Sequence, residues 1–295
     1  MEYNKPALRI SDQLAILQQR GLTINNMTEA EHFLNNVSYF RFAAYLRVFE
    51  QSDSTFRSGS TFEQVVKLYN FDVELRKTLF AAIQRIEIAL RSRVIHQFAL
   101  AHGPFWFLDA SLAIDKQKFA KNLETLQHEL ERSKEEFIKE HTAKYGTANF
   151  PPAWKMLELT SFGTLTKLYI NFADTPVRKR IARSFGVSKP EALESWMRAV
   201  NVLRNACAHH TRVWNRVMPM KPQLPKTLRN PWVDVSGVVQ TSPYAVFCCI
   251  AYWLNAIDPQ NTFTSDIKAL VEKYPIIDPA AMGCPQGWQS EPLWS

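Results

Sequence analysis

Apolar residues recur at helical spacing along most of this chain. The clearest run is Leu68, Leu75, Leu79, Ile83, Ile86, Leu90 and Val94, at intervals of three, four or seven, which places them on one face of a long helix. Ser60 and Glu63 have the spacing of a capping box that would open it, and Gly103-Pro104 would stop it. Upstream, residues 11–20 read as a short helix closed by Gly21. Residues 28–49 read as one or two helices with Leu34, Val37 and Tyr45 turned inward, and 51–60 as a polar loop.

Downstream, residues 116–145 are rich in charge and carry one apolar seam of Phe119, Leu123, Leu126 and Leu130, the pattern of an exposed helix. Pro151-Pro152 interrupts the chain, and residues 153–172 read as helix with Gly163 inside it. Residues 177–185 form a short basic helix carrying Arg178, Lys179, Arg180 and Arg183, closed by Gly186. Ser188 and Glu191 make a second capping-box pair. The helix they open is expected to continue to Met218, where Pro219 ends it. A Pro-rich loop over 219–243, helices over 244–257 and 264–273, and an irregular tail complete the pattern. The fold class expected is all-α, as one helical domain: an N-terminal helical extension over 1–58, a helical core over 60–275 and a tail over 276–295.

Composition narrows this further. Hydrophobic residues make up 46% of the 295, enough for a large core, and only 9 are glycine. That scarcity of turn residues argues against sandwich, barrel and Rossmann folds. No apolar run approaches the ~20 residues of a membrane-spanning helix, and Met1-Glu2-Tyr3-Asn4-Lys5 shows no secretory leader. Cys207, Cys248, Cys249 and Cys284 form no C-x-x-C pair, so buried thiols in a reducing cytoplasm are expected rather than disulfides or zinc. The net charge of +7 favours a polyanionic partner.

The chemistry concentrates on the helix opened at Ser188. On a wheel of about 100° per residue, Leu193, Trp196, Val200, Leu203 and Cys207 share a core stripe with Arg204 at its edge. Asn205, His209 and Arg212 follow at i, i+4 and i+7 on nearly the opposite side. An imidazole titrates near neutrality and moves protons at pH 7. A guanidinium matches phosphate oxygens and stabilises charge that develops on them. Asn205 can orient the ring or bind a ribose. RNA supplies its own nucleophile, the 2′-OH, so such a site needs no metal and no cofactor. One His is few for both proton transfers, and an isologous homodimer would supply a second copy, giving a composite site of Arg204, Asn205 and His209 from two chains.

A plainer reading stands beside this one. Arg204 can pair with a buried acid such as Glu87, and His210 can be only a surface neighbour. Glu87 with Arg91, and Asp72 with Arg76, have the i, i+4 spacing of ordinary helix ion pairs. Trp106, Trp154, Trp214 and Trp253 suit either base stacking or the core. Phosphate-loop, G-x-S-x-G and H-E-x-x-H motifs are absent from the sequence.

Several ordered blocks carry a resemblance. They are Arg20-Gly21-Leu22, Tyr39-Phe40-Arg41, Phe71-Asp72-x-x-Leu75-Arg76 and Arg85-Ile86-Glu87-Ile88-Ala89-Leu90-Arg91. They continue with Pro151-Pro152-Ala153-Trp154, Glu158-Leu159-Thr160-Ser161-Phe162-Gly163, and Arg204-Asn205 with His209, Arg212 and Trp214-Asn215. Met282-Gly283-Cys284-Pro285, Trp288 and Pro292-Leu293-Trp294 close the series. Together they resemble the Abi-like family of bacterial abortive-infection proteins, of the AbiD/AbiF type. That family is similar to the HEPN superfamily of helical domains with an R-x4–6-H motif. The resemblance implies a HEPN-like helical bundle and a metal-independent endoribonuclease leaving 2′,3′-cyclic phosphate and 5′-OH ends. It implies a role in phage defence or as a toxin in toxin–antitoxin control. It places catalysis on Arg204, Asn205 and His209. Arg212, Arg178, Lys179, Arg180 and Arg183 are expected to hold RNA, with Glu87, Arg91 and His210 in support. The alternative is a non-catalytic module that sequesters a structured or regulatory non-coding RNA or senses phage. Cys284 departs from the larger apolar residue expected in the tail, a matter of packing.

Overall fold

In the computed structural model, residues 6–146 and 149–295 are described. They contain twelve α-helices and no β-strand; pairing of extended backbone is limited to isolated bridges such as Ala113 with Phe172. The all-α expectation holds. The chain divides into two compact units: one runs to Arg76 and adds Ile267–Pro279, and the other comprises Lys77–Asp266 and Ala280–Ser295.

The first unit holds α1 (Ile10–Gln19), α2 (Met27–Val37), α3 (Tyr39–Leu46) and the start of α4 (Phe62–His102). Gly21, at φ 94°, ends α1 as expected. Phe33 packs edge-on against Phe42, Phe62 and Tyr69, with centroids 5.0–5.8 Å apart. The pair Asp72 and Arg76 is buried here, and the Tyr45 hydroxyl donates to Asp72 Oδ2 at 2.7 Å. Burial, then the Asp72 carboxylate beside it, pushes the Tyr45 phenol well above its ordinary range. The capping box of α4 lies one residue later than Ser60 and Glu63. The Thr61 hydroxyl accepts from Gln64 N (3.2 Å) and Gln64 Oε1 accepts from Thr61 N (3.0 Å). Ser60 is buried, and Glu63 instead receives the backbone and side-chain N–H groups of Asn25.

α4 is 41 residues long and stops before Gly103. All seven apolar positions of its sequence pattern are buried. The charged segment after it is two helices rather than one, α5 (Lys116–Arg132) and α6 (Glu136–Tyr145), with a break at Ser133. Residues 153–172 are likewise divided: α7 (Ala153–Met156), a 3₁₀ turn (Leu157–Leu159) and α8 (Phe162–Asn171). Ser161 caps α8, its hydroxyl accepting from Thr164 N, which is why the helix restarts there.

α9 (Thr175–Ser184), α10 (Pro190–Ala208) and α11 (Pro243–Ile257) surround the core of the second unit. α11 is buried on every side from Pro243 to Leu254. Each large apolar side chain so enclosed contributes about 1.5–3 kcal/mol. Trp196 of α10 packs among Trp232, Tyr252 and Trp253. Its indole N–H donates to Gln223 O at 2.6 Å, which fastens the Pro-rich loop to α10, and that of Trp232 donates to Pro225 O at 3.0 Å, which ties the loop to itself. α12 (Phe263–Lys273) and a tail with two 3₁₀ turns follow. The four cysteines are buried. Among the described residues no helix is long and apolar enough to cross a membrane.

Candidate functional site

α10 starts later and ends earlier than its sequence pattern suggests. Pro190 occupies the first turn, Lys189 is the N-cap, and Ser188 makes no cap. Pro at this position costs no backbone bond and presets the helical φ. The stripe Leu193, Trp196, Val200, Leu203 and Cys207 is buried as expected.

The helix stops at Ala208 instead of continuing to Met218, because His210 adopts a left-handed conformation at φ 55°. His210 N donates to Cys207 O and Thr211 N to Ala206 O, the paired bonds of a Schellman C-cap. His209 is therefore the C-cap residue, its backbone N–H bonded to Asn205 O at 2.9 Å and its side chain exposed. His210 has a backbone role: it ends the helix at the position that presents His209. Arg212 lies beyond the helix and does not continue its face. It is half-buried and its Nη2 donates to Asn215 O at 3.4 Å, between the buried Val213–Trp214 pair and Asn215 at φ 52°.

Arg204 is held from three sides. Its Nε lies 3.7 Å from Glu87 Oε2, its Nη1 donates to Asn205 Oδ1 at 3.5 Å, and its guanidinium carbon lies 5.8 Å from the centre of the Phe80 ring. Glu87 is shared: its Oε1 accepts from Arg91 Nη2 at 2.9 Å. Arg91 donates the same nitrogen to Thr160 O (2.8 Å), and its Nη1 lies 3.7 Å from Glu158. Arg204, Asn205, Glu87 and Arg91 thus form one connected polar cluster across α4 and α10. α8 packs against α10 beside this cluster, where a Cβ at Gly163 would meet Asn201 Nδ2 at 3.4 Å.

Thr160 and Glu158 were not singled out as site residues, although both lie in a sequence block quoted above. A backbone carbonyl carries no residue-type signal, and Glu158 reads like any exposed acid.

The basic segment is split by its environment. Arg178 is largely enclosed against Glu194 of α10, with Nη1 directed at Phe172 O and its guanidinium 5.6 Å from the Tyr169 ring. It is an internal strut. Lys179, Arg180 and Arg183 are exposed, with Arg180 Nε donating to Gln97 at 3.2 Å. Trp106, Trp214 and Trp253 are core residues, whereas Trp154 is 53% exposed. Among the described residues there is no group of three or more His, Cys, Asp or Glu placed to hold a metal ion.

The family model described as Abi-like protein matches residues 32–215. That span includes all of α4 and α10, and with them Glu87, Arg91, Arg204, Asn205 and His209. No curated protein and no solved structure matches the chain.

Proposed function

We propose that this chain, which belongs to the Abi-like family, is a HEPN-type endoribonuclease that acts without a metal in abortive infection. The observation that carries the reading is the Arg204–Asn205 hydrogen bond set one helical turn before an exposed His209. His209 takes the proton of a ribose 2′-OH. The 2′-oxygen attacks the adjacent phosphorus, and the bond to the 5′-oxygen breaks. The departing oxygen takes a proton from His209 of a second copy, leaving a 2′,3′-cyclic phosphate and a 5′-OH. Arg204 stabilises charge on the non-bridging oxygens, and Asn205 keeps its guanidinium turned outward. The exposed Lys179, Arg180 and Arg183 hold the RNA backbone, together with Arg212.

One observation favours a second reading, a non-catalytic module that sequesters RNA. Arg204 is already engaged by Glu87 at 3.7 Å, as a purely structural ion pair would be.

The test is to incubate the wild-type protein and His209→Ala with mixed RNA in EDTA and to analyse the ends. Cleavage by the wild type alone, with cyclic-phosphate ends, is the expected outcome. Equal cleavage by both removes His209 from the mechanism. Salt-resistant binding with no cleavage supports the second reading.

A further inference from the structure

At the far end of α10 from His209 lies a cleft of about 230 Å³ whose lining includes Arg183, Ser188, Thr227 and Arg229 and no acidic residue. We infer that this cleft binds a single phosphate group, supplied by an RNA strand that passes from it toward the Arg204–His209 end of the helix.

Three features carry this. The first is charge. Both arginines are exposed, and among the described residues neither is in an ion pair. Two arginines on the lining of one small cleft bring like charges to the same place, which an anion bound there would relieve, and the planar fork of a guanidinium suits phosphate oxygens. Ser188 and Thr227 add hydroxyl donors.

The second is rigidity. One rim is the turn after α9 and the other is the loop at Thr227–Asn230. A single phenol ties them: Tyr252 Oη donates to Gly186 O at 2.9 Å and accepts from Asn230 N at 3.3 Å. Gly186, at φ 72°, admits that phenol because a Cβ there would lie 2.7 Å from it. The cleft is therefore set before a ligand arrives.

The third is the removal of competing negative charge. The C-terminal carbonyls of α9 would repel an anion if left free. Gly186 N takes Arg183 O, Val187 N takes Ala182 O, and Arg93 Nη1 takes Ser184 O at 2.6 Å. Arg93 is held in place by stacking 3.9 Å above Phe185.

The volume is below the range of whole-ligand pockets, which begin at about 300 Å³, so one phosphate fits better than a nucleotide. At about 1.5 Å per residue, the span from Ser188 to His209 is roughly 30 Å. The cleft is thus an anchor remote from the proposed cleavage site. Only the source of the phosphate rests on the RNA reading.

Binding of a short single-stranded RNA to the full chain is measured against salt, with His209→Ala in every protein so that nothing is cut. Arg229→Gln is compared with Arg229→Lys, and the thermal stabilisation given by inorganic phosphate is recorded for each. Arg229 lies on an exposed loop, so the variants keep the fold, as circular dichroism would show. The expected result is weaker RNA binding by Arg229→Gln. Its slope of log K against log salt is shallower by about 0.7, one phosphate contact on a single strand, and Lys partly restores it. Loss of the inorganic-phosphate effect with an unchanged RNA slope keeps the phosphate site but overturns RNA as its source. No change in either, in a folded variant, overturns the cleft as a binding site. Because the readout is binding, a failure of wild-type protein to cleave RNA leaves these outcomes unaffected.

Discussion

Arg204 and Arg91 converge on the two oxygens of one carboxylate, that of Glu87, with Arg91 Nη2 at 2.9 Å from Oε1 and Arg204 Nε at 3.7 Å from Oε2. The arrangement makes Glu87 the link between α4 and the motif on α10. Its side chain is only 13% exposed and that of Arg91 11%, so removal of the acid leaves a nearly buried guanidinium with only the more distant, exposed Glu158 as counter-charge. Glu87→Ala is expected to lower stability by about 2–4 kcal/mol, read from urea unfolding. Glu87→Gln keeps an acceptor for Arg91 and is expected to lose less than half of that. If the two variants unfold alike, the charge of Glu87 is not what holds the cluster.

His210 ends α10 in a conformation that favours glycine, at φ 55°. A non-glycine residue there costs about 1 kcal/mol relative to the right-handed region, offset in part because glycine is more disordered in the unfolded chain. His210→Gly is expected to raise stability by about 0.5 kcal/mol or leave it unchanged, and His210→Val, β-branched at the same φ, to lower it by more than 1 kcal/mol. Thermal melts of both variants decide this. A loss on going to glycine as large as that for valine would mean that the imidazole, not the backbone, is what the position requires.

The fold was largely legible because helical burial is periodic. The α4 stripe and the α10 stripe from Leu193 to Cys207 are buried as their spacing requires. Helix ends were read less well, for local reasons. Thr61 with Gln64, and Ser60 with Glu63, both satisfy the capping-box pattern, and only burial of Ser60 and the Asn25–Glu63 bonds separate them. The end of α10 rests on a left-handed histidine, which has no residue-type signal as strong as glycine's. As a result Arg212 seemed to share a helix face with His209. Arg178 and Arg183 look alike in sequence, and it is Glu194, sixteen residues on from Arg178, that draws one inward. Arg229 was invisible as a partner of Arg183 because a loop of the Pro-rich segment brings it there.

In the first unit, Asp72 is fully buried and its partners include Arg76 and the Tyr45 hydroxyl. Tyr45→Phe removes two charge-assisted hydrogen bonds, the one donated to Asp72 and the one accepted from Arg76 Nη1 at 3.3 Å, and is expected to cost about 1.5–3 kcal/mol. Asp72→Asn leaves Arg76 buried without a counter-charge and is expected to cost about 3–5 kcal/mol. The double variant Asp72→Leu with Arg76→Met removes both charges and is expected to lose less than Asp72→Asn alone. Urea unfolding of the three orders them. A double variant less stable than the single one would show that the pair contributes net stability beyond its own desolvation.

Asp174 joins two elements of the second unit. Its Oδ1 accepts from Val177 N at 2.9 Å, capping α9, and its Oδ2 lies 2.6 Å from Nε2 of His102 at the end of α4. Partial burial raises its pKa, but the bonds from Val177 and His102 outweigh this and hold the carboxyl below its ordinary value of 3.8. A carboxylate whose pKa is lower in the folded state contributes stability that is present in full above the unfolded value near 3.9. That contribution is lost as pH falls through the lower folded value. Asp174→Asn retains a capping oxygen and removes the charge. The wild type is therefore expected to be more stable than Asp174→Asn by about 1 kcal/mol at neutral pH, with the gap closing below about pH 4. Melting temperatures of the two proteins from pH 7 downward test this. A gap that stays constant through the acid range would assign the difference to packing of the amide, and a gap that widens there would reverse the sign of the Asp174 shift.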